Sequence, residues 1–153
     1  MKNQQLFTIA EVTLSYKSKV KASERPKISC SLDAFKLFNE SWNHDTIEYF
    51  EEFKVLLMNP SNSVLGLLPI SRGGISGTVT DVRVIMQGAL KSNASGILLA
   101  HNHPSGNLTP SESDNKITKK IKEAGIIMDI AILDHIILTS EGDYYSFADN
   151  GLL

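Results

Sequence analysis

The spacing of hydrophobic and polar residues in the first half of the chain predicts both strands and a helix. Residues 6–16 alternate loosely and contain β-branched side chains, which predicts a strand before a charged loop at residues 17–27. In the segment LDAFKLFNESW the apolar residues fall on one helical face, so we expect a short amphipathic helix capped by Ser31. The apolar runs EEFKVLLMN and SVLGLLPIS flank the turn residues 60–62 and predict an antiparallel hairpin.

The middle of the chain predicts a helix and then a buried strand. Asp81 is a suitable N-cap for the segment VRVIMQGALKS. Residues 96–100 form a short, wholly apolar run that ends at His101. Such a run is typical of a central strand that is covered on both faces.

The last third predicts a capped helix and closing strands. Ser111 is placed as an N-cap, Asp114 as its partner in a capping box, and Gly125 as the C-terminal stop of the helix. Residues 126–132, 135–139 and 144–147 are interpreted as strands, with a turn at residues 141–143.

These elements predict one layered α/β, or mixed α+β, domain around a single sheet. A chain of 153 residues has the length of one ordinary domain. We assign residues 1–30 to an N-terminal strand and loop extension and residues 31–153 to the domain itself.

Composition narrows the class of protein and of metal site. The chain is 42% hydrophobic and 21% charged, and it contains no apolar run near the roughly 18 residues of a membrane span. The N-terminal residues do not resemble a secretory signal, so we expect a cytoplasmic protein without a membrane partner. Cys30, the single cysteine, can form no internal disulfide and excludes a thiolate-rich zinc site. Any metal would need histidine and carboxylate ligands.

The charge balance argues against a dedicated nucleic-acid-binding protein. The 15 Lys and Arg residues against 17 Asp and Glu residues give a net charge of -2. Because non-specific attraction to phosphate depends on positive charge, we expect DNA to bind at most weakly, through a local basic patch.

The segment AHNHPSGNLTPSESD carries the candidate chemistry, at a predicted junction of strand and helix. His101 and His103 point to the same side of an extended segment, whereas Asn102 points to the other. The turn at Pro104 and Gly106 can bring Asp114 back as an oxygen ligand. Two nitrogens and a carboxylate leave a fourth position open, which is the arrangement of a catalytic zinc rather than a structural one.

Each of these residues also has a simpler interpretation. A lone histidine on a strand is more often a satisfied polar residue than a ligand, and Ser111 and Asp114 could serve only as helix caps. Their joint occurrence within fourteen residues favours the metal site. Asp134 and His135 could orient a ligand, but a buried structural pair is the preferred interpretation.

The motif also resembles a known family. His101-x-His103-Pro104, six residues and then Ser111-x-x-Asp114 match the signature of JAMM metalloproteases without a gap. From about Glu51 to the C-terminus, the segments EEFKVLLMN, AHNHPSG, PSESD, LDHIIL and YYSFADNGLL resemble bacterial RadC-like proteins. The resemblance implies a JAB/MPN-like mixed sheet flanked by helices, related in outline to cytidine deaminases.

The same resemblance implies a zinc ion and two catalytic residues. The pattern Glu-x-Phe-x-Val-Leu places the water-activating glutamate at Glu51 rather than Glu52. Ser111 would donate its hydroxyl to the oxyanion of a tetrahedral intermediate. The predicted function is therefore a zinc metallohydrolase of the JAMM type, a peptidase or isopeptidase that acts on a peptide or protein.

Other functions fit less well. A non-catalytic MPN-like scaffold, or a binding module associated with DNA repair, is the alternative. No helix-hairpin-helix pattern precedes Ser31, which weakens an expectation of DNA binding carried over from longer RadC-like proteins. The letters His-Asn-His do not indicate an HNH nuclease, whose residues are spread through a larger unit. A zinc deaminase would need a Pro-Cys-x-x-Cys run, which a chain with a single cysteine cannot supply.

Overall fold

The structure is a computed structural model and describes residues 10–73 and 77–153. Within these residues a five-stranded mixed sheet is packed between α-helices, as the pattern of the sequence predicts. The strands are β1 (Glu52–Met58), β2 (Val64–Arg72), β3 (Gly96–Asn102), β4 (Ala131–Leu138) and β5 (Tyr144–Ser146), and the helices are α1 (Ser31–Ser41), α2 (Val82–Lys91) and α3 (Glu112–Met128).

The sheet has the strand order β2-β1-β3-β4-β5, so β3 is the central strand. β1 pairs antiparallel with β2, which confirms the predicted hairpin, and also antiparallel with β3. β3 and β4 are parallel, and β5 returns antiparallel along β4. All seven residues of β3 are buried, as expected for the apolar run that ends at His101.

Helices cover both faces of the sheet. α1 packs on one face through Ala34, Phe35 and Phe38, against alternate residues of the strands such as Leu56 and Leu98. The opposite face is covered by α2 and α3, and its core includes Phe53, Val55, Leu57, Ile85, Met86, Ala89, Ile97, Leu99, Ile121 and Ile130. The predicted layered α/β fold is thus confirmed.

Two of the predicted helix caps are present and one is shifted. The Asp81 carboxylate accepts a hydrogen bond from the Arg83 N–H at the start of α2. Ser111 and Asp114 form a reciprocal capping box at the start of α3. At α1 the N-cap is Cys30, so Ser31 is the first helical residue rather than the cap.

The prediction that Gly125 ends α3 is wrong. The helix continues to Met128, and Asp129 closes it in the left-handed region with φ 54°. Gly125 is needed inside the helix because a Cβ there would lie 2.4 Å from the carbonyl oxygen of Ile130. Within the predicted strand at residues 126–132, residues 126–128 belong to α3, whereas residues 131–132 begin β4, which continues to Leu138 through most of the predicted strand at residues 135–139.

The N-terminal strand prediction is also not supported. Residues 10–16 are exposed and form no strand, while residues 6–9 of the prediction lie outside the described residues. A side-chain contact from the Tyr16 hydroxyl to the carbonyl of Leu65 (2.7 Å) links this segment to β2. A β-branched composition does not by itself form a strand, since strand stability depends on packing against neighbouring residues.

Candidate metal centre

The end of β3 and the start of α3 bring His101, His103 and Asp114 together. His101 is the sixth residue of β3, and its ring is 1% exposed. The Nε2 atoms of His101 and His103 lie 2.9 Å apart. Asp114 Oδ1 lies 3.2 Å from Nε2 of His101, and Oδ2 lies 3.3 Å from Nε2 of His103. These three side chains form a group that could hold a metal ion.

The separations between these ligand atoms fit a small tetrahedral cation. Bonds of about 2.0–2.1 Å at tetrahedral angles would place ligand atoms about 3.3 Å apart. The observed distances of 2.9, 3.2 and 3.3 Å lie close to that value. A set of two imidazole nitrogens and one carboxylate also matches the ligand chemistry that zinc accepts.

The orientation of His103 is fixed by the turn that follows β3. Its Nδ1 lies 2.5 Å from the carbonyl oxygen of Asn107, which can only accept a hydrogen bond. Nδ1 of His103 therefore carries a proton, and in a neutral ring Nε2 presents its lone pair to Asp114. Burial lowers the pKa of His103, but the Asp114 carboxylate and the Asn107 carbonyl outweigh burial and raise that pKa. The site thus attracts positive charge.

Asp114 is held as an anion by its surroundings. Its Oδ2 accepts the backbone N–H of Ser111 at 2.6 Å, so the capping box also orients the carboxylate. Burial raises the pKa of Asp114, but the adjacent imidazoles of His101 and His103 and the hydrogen bond from Ser111 keep it well below its usual range. The helix-capping and metal-ligating interpretations of Ser111 and Asp114 are therefore compatible.

The side chains of Glu51 and Glu52 have different surroundings. Glu51 lies next to the start of β1 and lines a cavity together with His101 and Asp114. Burial raises the pKa of Glu51, and the nearby imidazoles of His101 and His103 oppose that rise. Glu52 points elsewhere, with its carboxylate 3.7 Å from Lys54 Nζ and 3.8 Å from Arg72 Nε. Of the two residues, Glu51 faces the candidate metal site.

Asn102 holds the segment that carries Glu51, a role that the sequence did not reveal. Its side chain is fully buried, and its Nδ2 donates to the carbonyls of Ile47 and Phe50, both at 2.7 Å. Its Oδ1 accepts the N–H of Glu52 at 2.8 Å. Asn102 points away from the histidines because side chains alternate along β3, and it thereby ties the entry of β1 to the strand that carries His101.

Two cavities meet at the candidate centre. One, of about 490 Å³, lies between residues 77–80 and the start of α3. The other, of about 230 Å³, is lined by the turn after His103, including Ser105, Asn107 and Thr109. Glu51 and Ser111 line both cavities. A bound molecule could therefore extend to either side of the metal position.

The structure places Asp134 and His135 on opposite sides of β4, whereas the preferred interpretation of the sequence is one buried structural pair. His135 is fully buried, and its Nε2 lies 2.8 Å from Nδ1 of His101. Asp134 faces the other side of β4, where its carboxylate accepts hydrogen bonds from Ser146 and Ala148. Alternation along a strand accounts for this division, and the contact of His135 with His101 matches the alternative interpretation, in which this residue orients a ligand.

Comparison with known proteins identifies the family to which the chain is similar. The sequence model of the RadC-like JAB domain family matches residues 28–152. A UPF0758 protein of Flavobacterium johnsoniae is 48% identical over 126 residues, which are 82% of this chain and 53% of the relative. A UPF0758 protein of Porphyromonas gingivalis is 47% identical over 67% of this chain and 45% of its own length.

The UPF0758 protein of Geotalea uraniireducens is 30% identical over 97% of this chain and 74% of its own length. The chain spans about half the length of the Flavobacterium johnsoniae and Porphyromonas gingivalis relatives. None of the helices that the structure describes is long and apolar enough to cross a membrane. The matched residues include the whole sheet and all the residues of the candidate centre, and the chain belongs to the RadC-like JAB domain family.

Proposed function

We propose that this protein is a zinc-dependent hydrolase that cleaves peptide or isopeptide bonds. The observation that carries the proposal is the group formed by His101, His103 and Asp114, with Glu51 on the wall of the adjoining cavity. A closed structural zinc site would use four protein ligands, whereas three ligands next to an open cavity leave room for a reacting molecule.

Zinc at this position would polarise a carbonyl group and increase the acidity of water. Glu51 would take a proton from the attacking water and return it to the leaving amine. Burial raises the pKa of Glu51 towards the range in which a carboxylate can both accept and release a proton near neutral pH. Asn102 would support this step by fixing the backbone next to Glu51.

Ser111 would stabilise the oxyanion that develops on the carbonyl oxygen. Its Oγ accepts the Asp114 N–H at 3.1 Å through a lone pair, so the hydroxyl proton remains free for donation. Because Ser111 lines both cavities, that proton can be directed towards a molecule that crosses the site. Helix capping and oxyanion stabilisation can therefore act through one hydroxyl group.

The two cavities support an elongated substrate. A chain that enters one cavity and leaves through the other would place an internal bond beside Glu51 and Ser111. The described residues that line the two cavities include no Lys or Arg. Recognition of a free terminal carboxylate would be expected to use such a cation, so we propose cleavage at internal amide or isopeptide bonds.

A library of internally quenched peptides and isopeptide-linked peptides tests this proposal. We expect zinc-loaded protein to cleave some members, chelation to stop the cleavage, and added zinc to restore it, with products identified by mass spectrometry. A protein that binds zinc but cleaves no peptide or isopeptide would contradict the proposal and favour a non-catalytic scaffold.

A further inference from the structure

A chain of buried hydrogen bonds connects α3 to the candidate ligand His101 through His135. Nδ1 of His135 lies 2.6 Å from the Thr118 hydroxyl, and Nε2 of His135 lies 2.8 Å from Nδ1 of His101. The Thr118 hydroxyl also lies 2.6 Å from the carbonyl oxygen of Asp114, one helical turn earlier. The side chains of Thr118, His135 and His101 are at most 2% exposed.

The direction of each hydrogen bond follows from the Asp114 carbonyl oxygen, the one group in the series that can only accept. A carbonyl oxygen has no proton, so the 2.6 Å contact with Asp114 requires Thr118 to donate its single hydroxyl proton there. Thr118 then has only lone pairs for His135, so Nδ1 of His135 must carry a proton. Nε2 of a neutral His135 is consequently an acceptor, and it receives a proton from Nδ1 of His101.

The reverse order leaves a poor contact. If Thr118 donated to His135, the Thr118 hydroxyl oxygen and the Asp114 carbonyl oxygen would face each other at 2.6 Å with no proton between them. Two oxygen lone pairs at that distance in a buried environment repel each other. The first order satisfies every contact in the chain.

We infer that Thr118 and His135 are positioning residues that set the tautomer of His101, so that its Nε2 lone pair faces His103 and Asp114. The inference rests on the proposed metal site, and it adds two residues whose action is indirect. A neutral histidine has one protonated nitrogen, and a proton on Nε2 would prevent that atom from binding a cation.

Aromatic rings restrict the rotation of both imidazoles. Phe147 stacks on His135 with ring centroids 4.7 Å apart and an interplanar angle of 16°. Phe53 stacks on His101 with centroids 6.0 Å apart and an angle of 4°. β3 and β4 place the two histidines on the same face, because His135 is paired in register with Leu99, two residues before His101. Backbone register and stacking thus hold the two hydrogen-bonded imidazoles in one arrangement.

Nuclear magnetic resonance can test the tautomer without substrate or turnover. Two-bond proton–nitrogen correlations on zinc-free protein, at a pH where the rings are neutral, distinguish protonation at Nδ1 from protonation at Nε2. We expect His101 and His135 both to be protonated at Nδ1. Protonation of His101 at Nε2 would overturn the inference. Because no cleavage is measured, a failed peptide assay would leave this result intact.

A matched pair at Thr118 tests the effect on the metal. Thr118→Val is nearly isosteric but removes the hydroxyl, whereas Thr118→Ser retains it. We expect the valine variant to bind zinc about 10- to 100-fold more weakly, with a mixed His101 tautomer, and the serine variant to recover both properties. Dissociation constants from competition with a chelator give the first readout.

A structural role alone predicts a different result. In that case Thr118→Val would lower the melting temperature but leave zinc affinity and the His101 tautomer at wild-type values, which would contradict the inference. His135→Gln provides a second test, since a Gln carbonyl can replace the acceptor at Nε2. We expect it to bind zinc more tightly than His135→Leu, and equal affinities of these two variants would also contradict the inference.

Discussion

Two buried aspartates near the central strands differ in what surrounds their oxygens. Asp134 is 4% exposed, and its carboxylate accepts the N–H of His135 at 2.7 Å, the N–H of Ala148 at 2.9 Å and the hydroxyl of Ser146 at 2.6 Å. Asp114 is 7% exposed and accepts the N–H of Ser111, but its other close neighbours are two imidazole nitrogens.

The difference indicates which cluster needs a cation. Protein donors surround Asp134, so its cluster is complete and links β4 to the C-terminal residues of the chain. The imidazole nitrogens beside Asp114 can act as acceptors, and groups of acceptors that face one another require a proton or a metal ion between them. Burial alone therefore does not identify a functional carboxylate, whereas the chemistry of its neighbours does.

The largest expected effect is on metal binding. The His101→Ala/His103→Ala double variant should lose zinc entirely, because only Asp114 would remain as a ligand. Asp134→Ala should retain about one zinc per chain. Metal analysis by mass spectrometry after gel filtration measures both. Equal zinc contents in the double variant and the wild type would remove the distinction between the two clusters.

The next effect separates cation binding from its use in catalysis. Once a substrate is found, Glu51→Gln should reduce turnover by about 10²- to 10⁴-fold, since a positioned acid–base group is lost while the metal ligands remain. Zinc content should not change. Glu52→Gln is the control, because Glu52 contacts Lys54 and Arg72 rather than the cavity. Similar turnover in both variants would argue against Glu51 as the base.

Loss of the Asp134 carboxylate should affect stability rather than metal binding. Asp134→Ala leaves three donors without their acceptor, and we expect the free energy of unfolding to fall by about 2–4 kcal/mol, as typical losses for unsatisfied buried groups imply. Urea denaturation of the zinc-free protein measures this loss. The exposed Asp45→Ala variant should stay within about 0.5 kcal/mol of wild type.

The smallest expected effect is a pH dependence. Burial raises the pKa of Asp134 although its hydrogen bonds oppose the rise. The folded carboxyl group then binds a proton more tightly than the unfolded one, so its contribution to stability is greatest below the unfolded pKa and is lost as pH rises through the folded pKa. The stability of wild type relative to Asp134→Asn should therefore decrease as pH rises above about 4. A difference that increases with pH, in urea denaturation at several pH values, would contradict this sign.

The sequence was most informative where a local pattern sufficed. The hairpin of β1 and β2, the buried strand β3 and the capping box of Ser111 and Asp114 follow from periodicity and from residues three positions apart. It was least informative where a distant contact decides the outcome. Gly125 resembles a helix stop, yet it lies inside α3, where the Ile130 carbonyl leaves no space for a side chain at this position.

The candidate site shows the same division. His101, His103 and Asp114 occur within fourteen residues, so spacing and alternation predict that they can meet. Asn102 and His135 act over 50 and 34 residues, on Glu52 and His101 respectively. No local pattern in the chain encodes these partners.

The sequence by itself thus determined the layered α/β class, the main elements and the group of candidate ligands, because the elements follow from periods of two to four residues and the ligands lie within fourteen residues of one another. Only the tertiary structure decided that His135 contacts His101 and that Asp134 faces away from it. These outcomes depend on the register between strands and on the packing of α3 against the sheet, where residues far apart in the chain compete for the same space.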